Sequence, residues 1–170
     1  MGKPDCCIHP GLVQKAQPIV TLLRAKKLSV VTAESCTAGL IGAIISHVPG
    51  AGECLQGGFI TYSKAHKVSA LGVDRELLRA QGSVNSHVAR QMAEGALRHS
   101  AADLAVAVTG VLGPEPDEDK APPGLIFFAV AHSGFDTVIT QELFDDCNPD
   151  EVRFRAVAQA LNLLLTVARA

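Results

Sequence analysis

Val30-Val31-Thr32-Ala33-Glu34-Ser35-Cys36-Thr37-Ala38-Gly39-Leu40 joins a β-branched run to a helix start through the side chains of Glu34, Ser35, Cys36 and Thr37. Leu28 to Thr32 reads as a buried strand, and Gly39 to His47, with Leu40, Ile41, Ile44 and Ile45 at helical spacing, as the helix that follows. Ser35, Cys36 and Thr37 are thereby placed at a helix N-terminus. The unpaired N–H groups there and the positive end of the dipole favour an anionic ligand oxygen or a developing oxyanion. Small residues at Ala38 and Gly39 let a ligand approach the backbone closely. The plainer reading of the same junction is that Ser35 or Thr37 caps a helix.

Outward from this junction the chain alternates between two periodicities. Before it, Leu12, Ala16, Ile19, Val20 and Leu23 form one helical face, with Pro18 marking either the helix start or a kink. After it, Gly57 to Tyr62 reads as a second strand, followed by a short helix capped by Ser63 that carries Lys67. Asp74 to Ala80 and a longer segment from Asn85 or Ser86 to Leu97 are helical. Asp103 to Thr109 is a continuous apolar run and hence a central strand covered on both faces. Glu115 to Pro123, acidic and proline-containing, reads as a mobile surface connection. Gly124 to His132 and Asp136 to Phe144 form a hairpin across Ser133-Gly134. Asn148, Pro149 and Glu151 mark the start of a long terminal helix. This pattern predicts an α/β fold, a three-layer α/β/α sandwich on a mixed sheet of about five strands. Residues 1–10 are expected to be a leader and 11–170 one domain.

Composition narrows the function classes. Of 170 residues, 48% are hydrophobic with no Trp, so the core is built from Val, Leu, Ile and Ala. A formal charge of −2 without a basic stripe argues against extended nucleic-acid binding. Five cysteines (6, 7, 36, 54, 147) without a C-x-x-C argue against a disulfide framework or zinc ribbon. No apolar run reaches the length of a membrane span, and a cytoplasmic protein is expected. The six histidines lack the i, i+3 or i, i+4 pairing of a metal site, so no metal is expected.

A serine needs a base before it attacks, and the chain carries no recognisable Ser-His-Asp context. Lysine is the nearest candidate base, and it serves only if its pKa falls from ~10.4 toward roughly 7 to 8. By composition alone Lys67 is a surface lysine and Tyr62 an edge-of-core tyrosine. Cys36 is either a low-pKa thiol or a small buried residue. Thr109-Gly110-Val111-Leu112-Gly113-Pro114, after a central strand, lies where open α/β sheets bind ligands, and equally serves as a plain connection.

Ala33-Glu34-Ser35-Cys36-Thr37-Ala38-Gly39, Gly58-Phe59-Ile60-Thr61-Tyr62-Ser63 with Lys67 five residues after Tyr62, and Thr109-Gly110-Val111-Leu112-Gly113-Pro114 together resemble the three signatures of the CinA C-terminal domain family. The likeness extends over roughly residues 12–168 and includes Val152-Arg153 at the terminal helix. Characterised members include nicotinamide mononucleotide amidases. The resemblance implies a cofactor-free serine amidohydrolase that uses Ser35 and Lys67 as a dyad with Tyr62 orienting them. Cys36, Thr37, Gly39, Thr109, Gly110, Gly113 and Arg153 are then expected around a pyridine nucleotide, in a homo-oligomer. Three departures stand out: Glu115-Pro116-Asp117 replaces a glycine pair, Leu125 replaces a Thr, and Asp145-Asp146-Cys147-Asn148 replaces a Gly-Asp-Arg. They leave Arg153 and the helix start at Thr37 as the expected phosphate holders. They also leave open a catalytically silent relative that binds a nucleotide or a protein chain.

Overall fold

The computed structural model describes residues 8–145 and 148–170. The expected leader as far as Cys7 lies outside the described residues, as do Asp146 and Cys147 of the stretch that departs from Gly-Asp-Arg. Helix α1 (Pro10–Lys26) opens with Pro10 at its first position, capped by His9, whose Nδ1 accepts from the Gly11 N–H at 3.1 Å. It runs unbroken through Pro18, which neither starts nor ends it. Pro18 and Gln14, whose carbonyl loses a donor to the proline, are both exposed, so the vacant acceptor lies on the side that solvent reaches.

Strand β1 (Val30–Glu34) lies two residues later than the apolar pattern suggests, because Thr32 and Glu34 are themselves buried strand residues. Helix α2 (Leu40–Ser46), strand β2 (Leu55–Ile60), and helices α3 (Lys64–Leu71), α4 (Arg75–Gln81) and α5 (Ser86–Arg98) follow. Ser63, Asp74 and Asn85 cap the last three, each accepting a main-chain N–H. Strands β3 (Leu104–Gly110), β4 (Leu125–His132) and β5 (Val138–Leu143) lead to helix α6 (Pro149–Arg169). The Asn148 side chain accepts from the N–H groups of both Asp150 and Glu151.

The sheet has the order β2-β1-β3-β4-β5. Strands β2, β1 and β3 are parallel, while β4 and β5 run antiparallel, giving the expected mixed five-stranded sheet. One face, with Val30, Val106, Val108, Ile126, Phe128 and Val130, is covered by α1, α2 and α6. The other face presents alanines at 33, 105, 107, 129 and 131, and these let α5 pack closely. Gly95 of α5 makes a similar approach to α3: a Cβ there would stand 2.1 Å from the Leu71 carbonyl oxygen.

Because three neighbouring strands are parallel, their carboxyl ends share one edge of the sheet. Ser35 follows β1, Thr61 and Tyr62 follow β2, and Val111 follows β3. Open α/β sheets build their ligand sites at such an edge.

Candidate active site

The turn from Ser35 to Gly39 is fixed by a side chain that the sequence reading left out of the site. Glu34, fully buried at the end of β1, folds its carboxylate over the start of α2. Oε2 accepts from the Thr37 hydroxyl at 2.7 Å and from the N–H groups of Gly39 and Ile41 at 3.0 Å, and Oε1 accepts from the Gly42 N–H at 2.9 Å. The helix start is therefore occupied by the protein's own anion. This corrects the expectation that Thr37 and the helix start hold a substrate phosphate. It also replaces Ser35 and Thr37 as candidate caps. Gly39, with φ 95°, completes the turn, and its missing Cβ makes room for Ile60. Thr37 and Gly39 shape this turn and do not line the cleft.

Ser35 is thereby left on the cleft floor, only 7% exposed. Its Oγ lies 2.8 Å from Nζ of Lys67, whose side chain is wholly buried. Nζ also donates to the main-chain carbonyls of Thr61 at 2.8 Å and Tyr62 at 3.3 Å. α3 starts at Lys64, close behind the end of β2, so its first turn carries Lys67 back beneath the carbonyls of the linking residues Thr61 and Tyr62. Nζ donates to one hydroxyl and two carbonyls, the three acceptors an ammonium needs; once the proton is lost, two N–H groups still reach the carbonyls and the lone pair can turn to the serine O–H. Burial lowers Lys67 to about 8, with a smaller push in the same direction from the Lys64 ammonium. A thiolate at Cys36 would oppose this, but burial pushes that thiol up to about 12. Near neutral pH the thiol is uncharged, and nothing from that side holds the proton on Lys67.

Cys36 thus combines the smaller role it was offered, a buried small residue, with a place on the cleft wall. As an uncharged thiol it is a poor nucleophile. Cys36→Ala is expected to cost far less turnover in a steady-state assay than Ser35→Ala; equal losses would move the attack to sulfur.

Above the Ser35–Lys67 contact lies a cleft of about 410 Å³. Ser35, Cys36, Tyr62, the loop from Gly110 to Gly113 and Arg153 all border it. Tyr62 reaches the lysine through its carbonyl, and the residue is 74% exposed at the rim, so it does not orient the pair through its phenol. Thr109 lies outside the cleft lining: its buried hydroxyl donates to the Ser83 carbonyl at 2.8 Å and ties that loop to β3. Gly110 is required by β4, since a Cβ would meet the Leu125 carbonyl at 2.6 Å, whereas Gly113 has open space around it. Arg153 pairs with Asp150 at 3.2 Å through Nη1, and its buried Nε meets no acceptor among the described residues.

Ser83, Asp117, Glu118 and Pro149 also line the cleft, and nothing in their local sequence marks them for that position. The acidic connection that reads as mobile is pinned to the fold. Lys64 Nζ lies 2.9 Å from Glu118 and 2.7 Å from Asp119. Among the described residues no His/Cys/Asp/Glu cluster could hold a metal. Nor is any described helix long and apolar enough to cross a membrane.

Comparison with known proteins gives the family. Residues 13–168 match the CinA C-terminal domain. The chain is 35% identical over 153 residues to the nicotinamide-nucleotide amidohydrolase PncC of Escherichia coli (strain K12), covering 90% of this chain and 92% of that one. It is 37% identical over 145 residues to the CinA-like protein of Chlorobaculum tepidum, covering 82% of this chain but 34% of that one. A competence-damage inducible relative from Symbiobacterium thermophilum is 48% identical over 118 residues, and the match spans 28% of its length. The competence/damage inducible protein CihA from Agrobacterium tumefaciens superposes with a TM-score of 0.90 at 34% identity, over 95% of this chain and 98% of that one. A CinA superfamily protein from Escherichia coli superposes with a TM-score of 0.87 at 30% identity, over 92% and 90%. With the whole fold and all three motif regions inside these matches, the chain belongs to the CinA C-terminal domain family.

Proposed function

We propose that this chain is a nicotinamide-nucleotide amidohydrolase that converts nicotinamide mononucleotide to nicotinate mononucleotide and ammonia. The observation that carries the reading is the buried contact between Lys67 Nζ and Ser35 Oγ, with two carbonyls taking the remaining amine hydrogens. Neutral Lys67 takes the Ser35 proton as Oγ attacks the carboxamide carbon. The oxyanion forms beside the Cys36 N–H and the loop from Gly110 to Gly113. The Lys67 ammonium then protonates the departing nitrogen, and the C–N bond breaks to leave an acyl-Ser35 and ammonia. A water, deprotonated by Lys67, attacks the acyl carbon, and the proton returns to Ser35 as nicotinate mononucleotide leaves.

With the α2 start filled by Glu34, the phosphate turns to Arg153, whose side chain borders the cleft and whose buried Nε meets no acceptor among the described residues. Arg153→Ala is expected to raise KM for the nucleotide roughly tenfold or more, and far less for the dephosphorylated riboside. A parallel loss on both substrates would place the phosphate elsewhere. A second reading, a silent nucleotide-binding relative, draws on Asp117 and Glu118 lining the same cleft, since their negative charge opposes a phosphate. Calorimetry paired with an ammonia assay on the nucleotide separates the two. Turnover supports the amidohydrolase, and binding without turnover supports the silent relative.

A further inference from the structure

The segment after Gly113 lends Asp117 and Glu118 to the cleft lining and is built around its own acidic residues. Asp117 Oδ1 accepts from the N–H groups of Asp119 and Ala121 at 3.0 and 2.8 Å, which folds residues 117–121 into a tight loop. Two tethers hold that loop. Asp119 Oδ2 accepts from the Ser83 N–H at 3.3 Å, and Asp119 lies so close to Gly82 that a Cβ there would stand 2.6 Å from it. On the other side Lys64 Nζ meets both Glu118 and Asp119. Lys64 opens α3, the helix that carries Lys67 three residues later. Asp117 and Glu118 line the same cleft as Ser35, so the tethered segment is one of its walls.

We propose that Lys64 is a positioning residue: by clasping Glu118 and Asp119 it holds the 114–123 segment as a wall of the cleft and ties that wall to the helix bearing Lys67. The inference rests on the reading of the cleft as an amide-hydrolysing site. The Lys64 side chain is 32% exposed and Asp119 26%, so the clasp is sheltered enough to hold a geometry yet contributes little to global stability. Its effect falls on substrate capture, because the wall surrounds the bound molecule while the dyad beneath is built from β1, β2 and α3 without it.

A double-mutant cycle tests the clasp. Assayed at pH 9, where Lys67 is deprotonated with or without the Lys64 charge, Lys64→Met and Asp119→Asn should each raise KM for nicotinamide mononucleotide about fivefold while kcat stays within about twofold. The double variant should do no worse than the more damaging single, since one contact is being removed twice. Lys64→Arg should restore most of the affinity, and melting temperatures should stay close to wild type. Multiplying single effects, or a fall in kcat at unchanged KM, would overturn the proposal. Amide hydrogen exchange over 114–123 separates this from the fate of the amidohydrolase reading. If the wild type releases no ammonia, the functional reading fails, yet faster exchange in Lys64→Met and Asp119→Asn still upholds the clasp. Unchanged exchange in both variants overturns it.

Discussion

Lys67→Met is expected to lose amide hydrolysis by at least about a thousandfold, because it removes the group that takes the serine proton while keeping the volume of the buried stem. The variant should also change how stability depends on pH. In the folded chain Lys67 is lowered from 10.5 to about 8 by burial. Unfolding returns it to its ordinary value, so between these two pH values the unfolded chain binds the extra proton. Below pH 8 the wild type carries the whole cost of holding an ammonium away from water. That cost fades as the pH rises through the window, and wild-type stability increases with it. At about 1.4 kcal/mol per pH unit the whole window amounts to on the order of 3 kcal/mol, of which about 1 kcal/mol is recovered by pH 9. Methionine has no such term, although it leaves the Thr61 and Tyr62 carbonyls without a donor at every pH. Urea unfolding of both proteins at pH 7 and pH 9 should show the wild type gaining on the variant by that amount. A constant difference would mean that Lys67 is not held below its ordinary value. Turnover by the wild type should follow the same group, rising about tenfold per pH unit below 8 and levelling above it.

Glu34→Gln is the second large effect, and it falls on stability first. The carboxylate accepts from three main-chain N–H groups and the Thr37 hydroxyl, all at the point where α2 starts. An amide keeps one acceptor oxygen and turns two N–H donors toward donors that have nowhere else to go. Leaving one or two of these unpaired in a buried turn costs on the order of 3 kcal/mol, or about 10 °C in Tm for a chain of this size. By contrast the exposed Arg24–Glu53 pair, at 2.8 Å, is worth under about 1 kcal/mol. Since the same turn carries Ser35, turnover should fall along with stability. A Tm within about 3 °C of wild type would show that the turn is held by something other than Glu34.

The elements that could be read from the sequence were those whose own residues contain the answer. Leu104 to Thr109 is buried on both faces, so its apolar run is the signature of a central strand. Asn148, Pro149 and Glu151 locate the start of α6 because capping is a local interaction. Strand β1 was displaced because Glu34 looks like the polar end of a strand until the turn that supplies its four donors is in place. Lys67 reads as a surface lysine for the same kind of reason. Its burial depends on the carbonyls of Thr61 and Tyr62 and on the serine contributed by another strand, contacts across the fold that no local pattern contains. Only the resemblance to a family singled it out. Glu115 to Pro123 looked like a solvated connection, and the lysine that clasps it lies far away in the chain, at Lys64.

Ammonia released from nicotinamide mononucleotide by the wild type and by Ser35→Ala, measured side by side near pH 8, tests the central claim most directly. The account predicts turnover by the wild type and a rate at least about a thousandfold lower in the variant. Equal rates in the two proteins would contradict it.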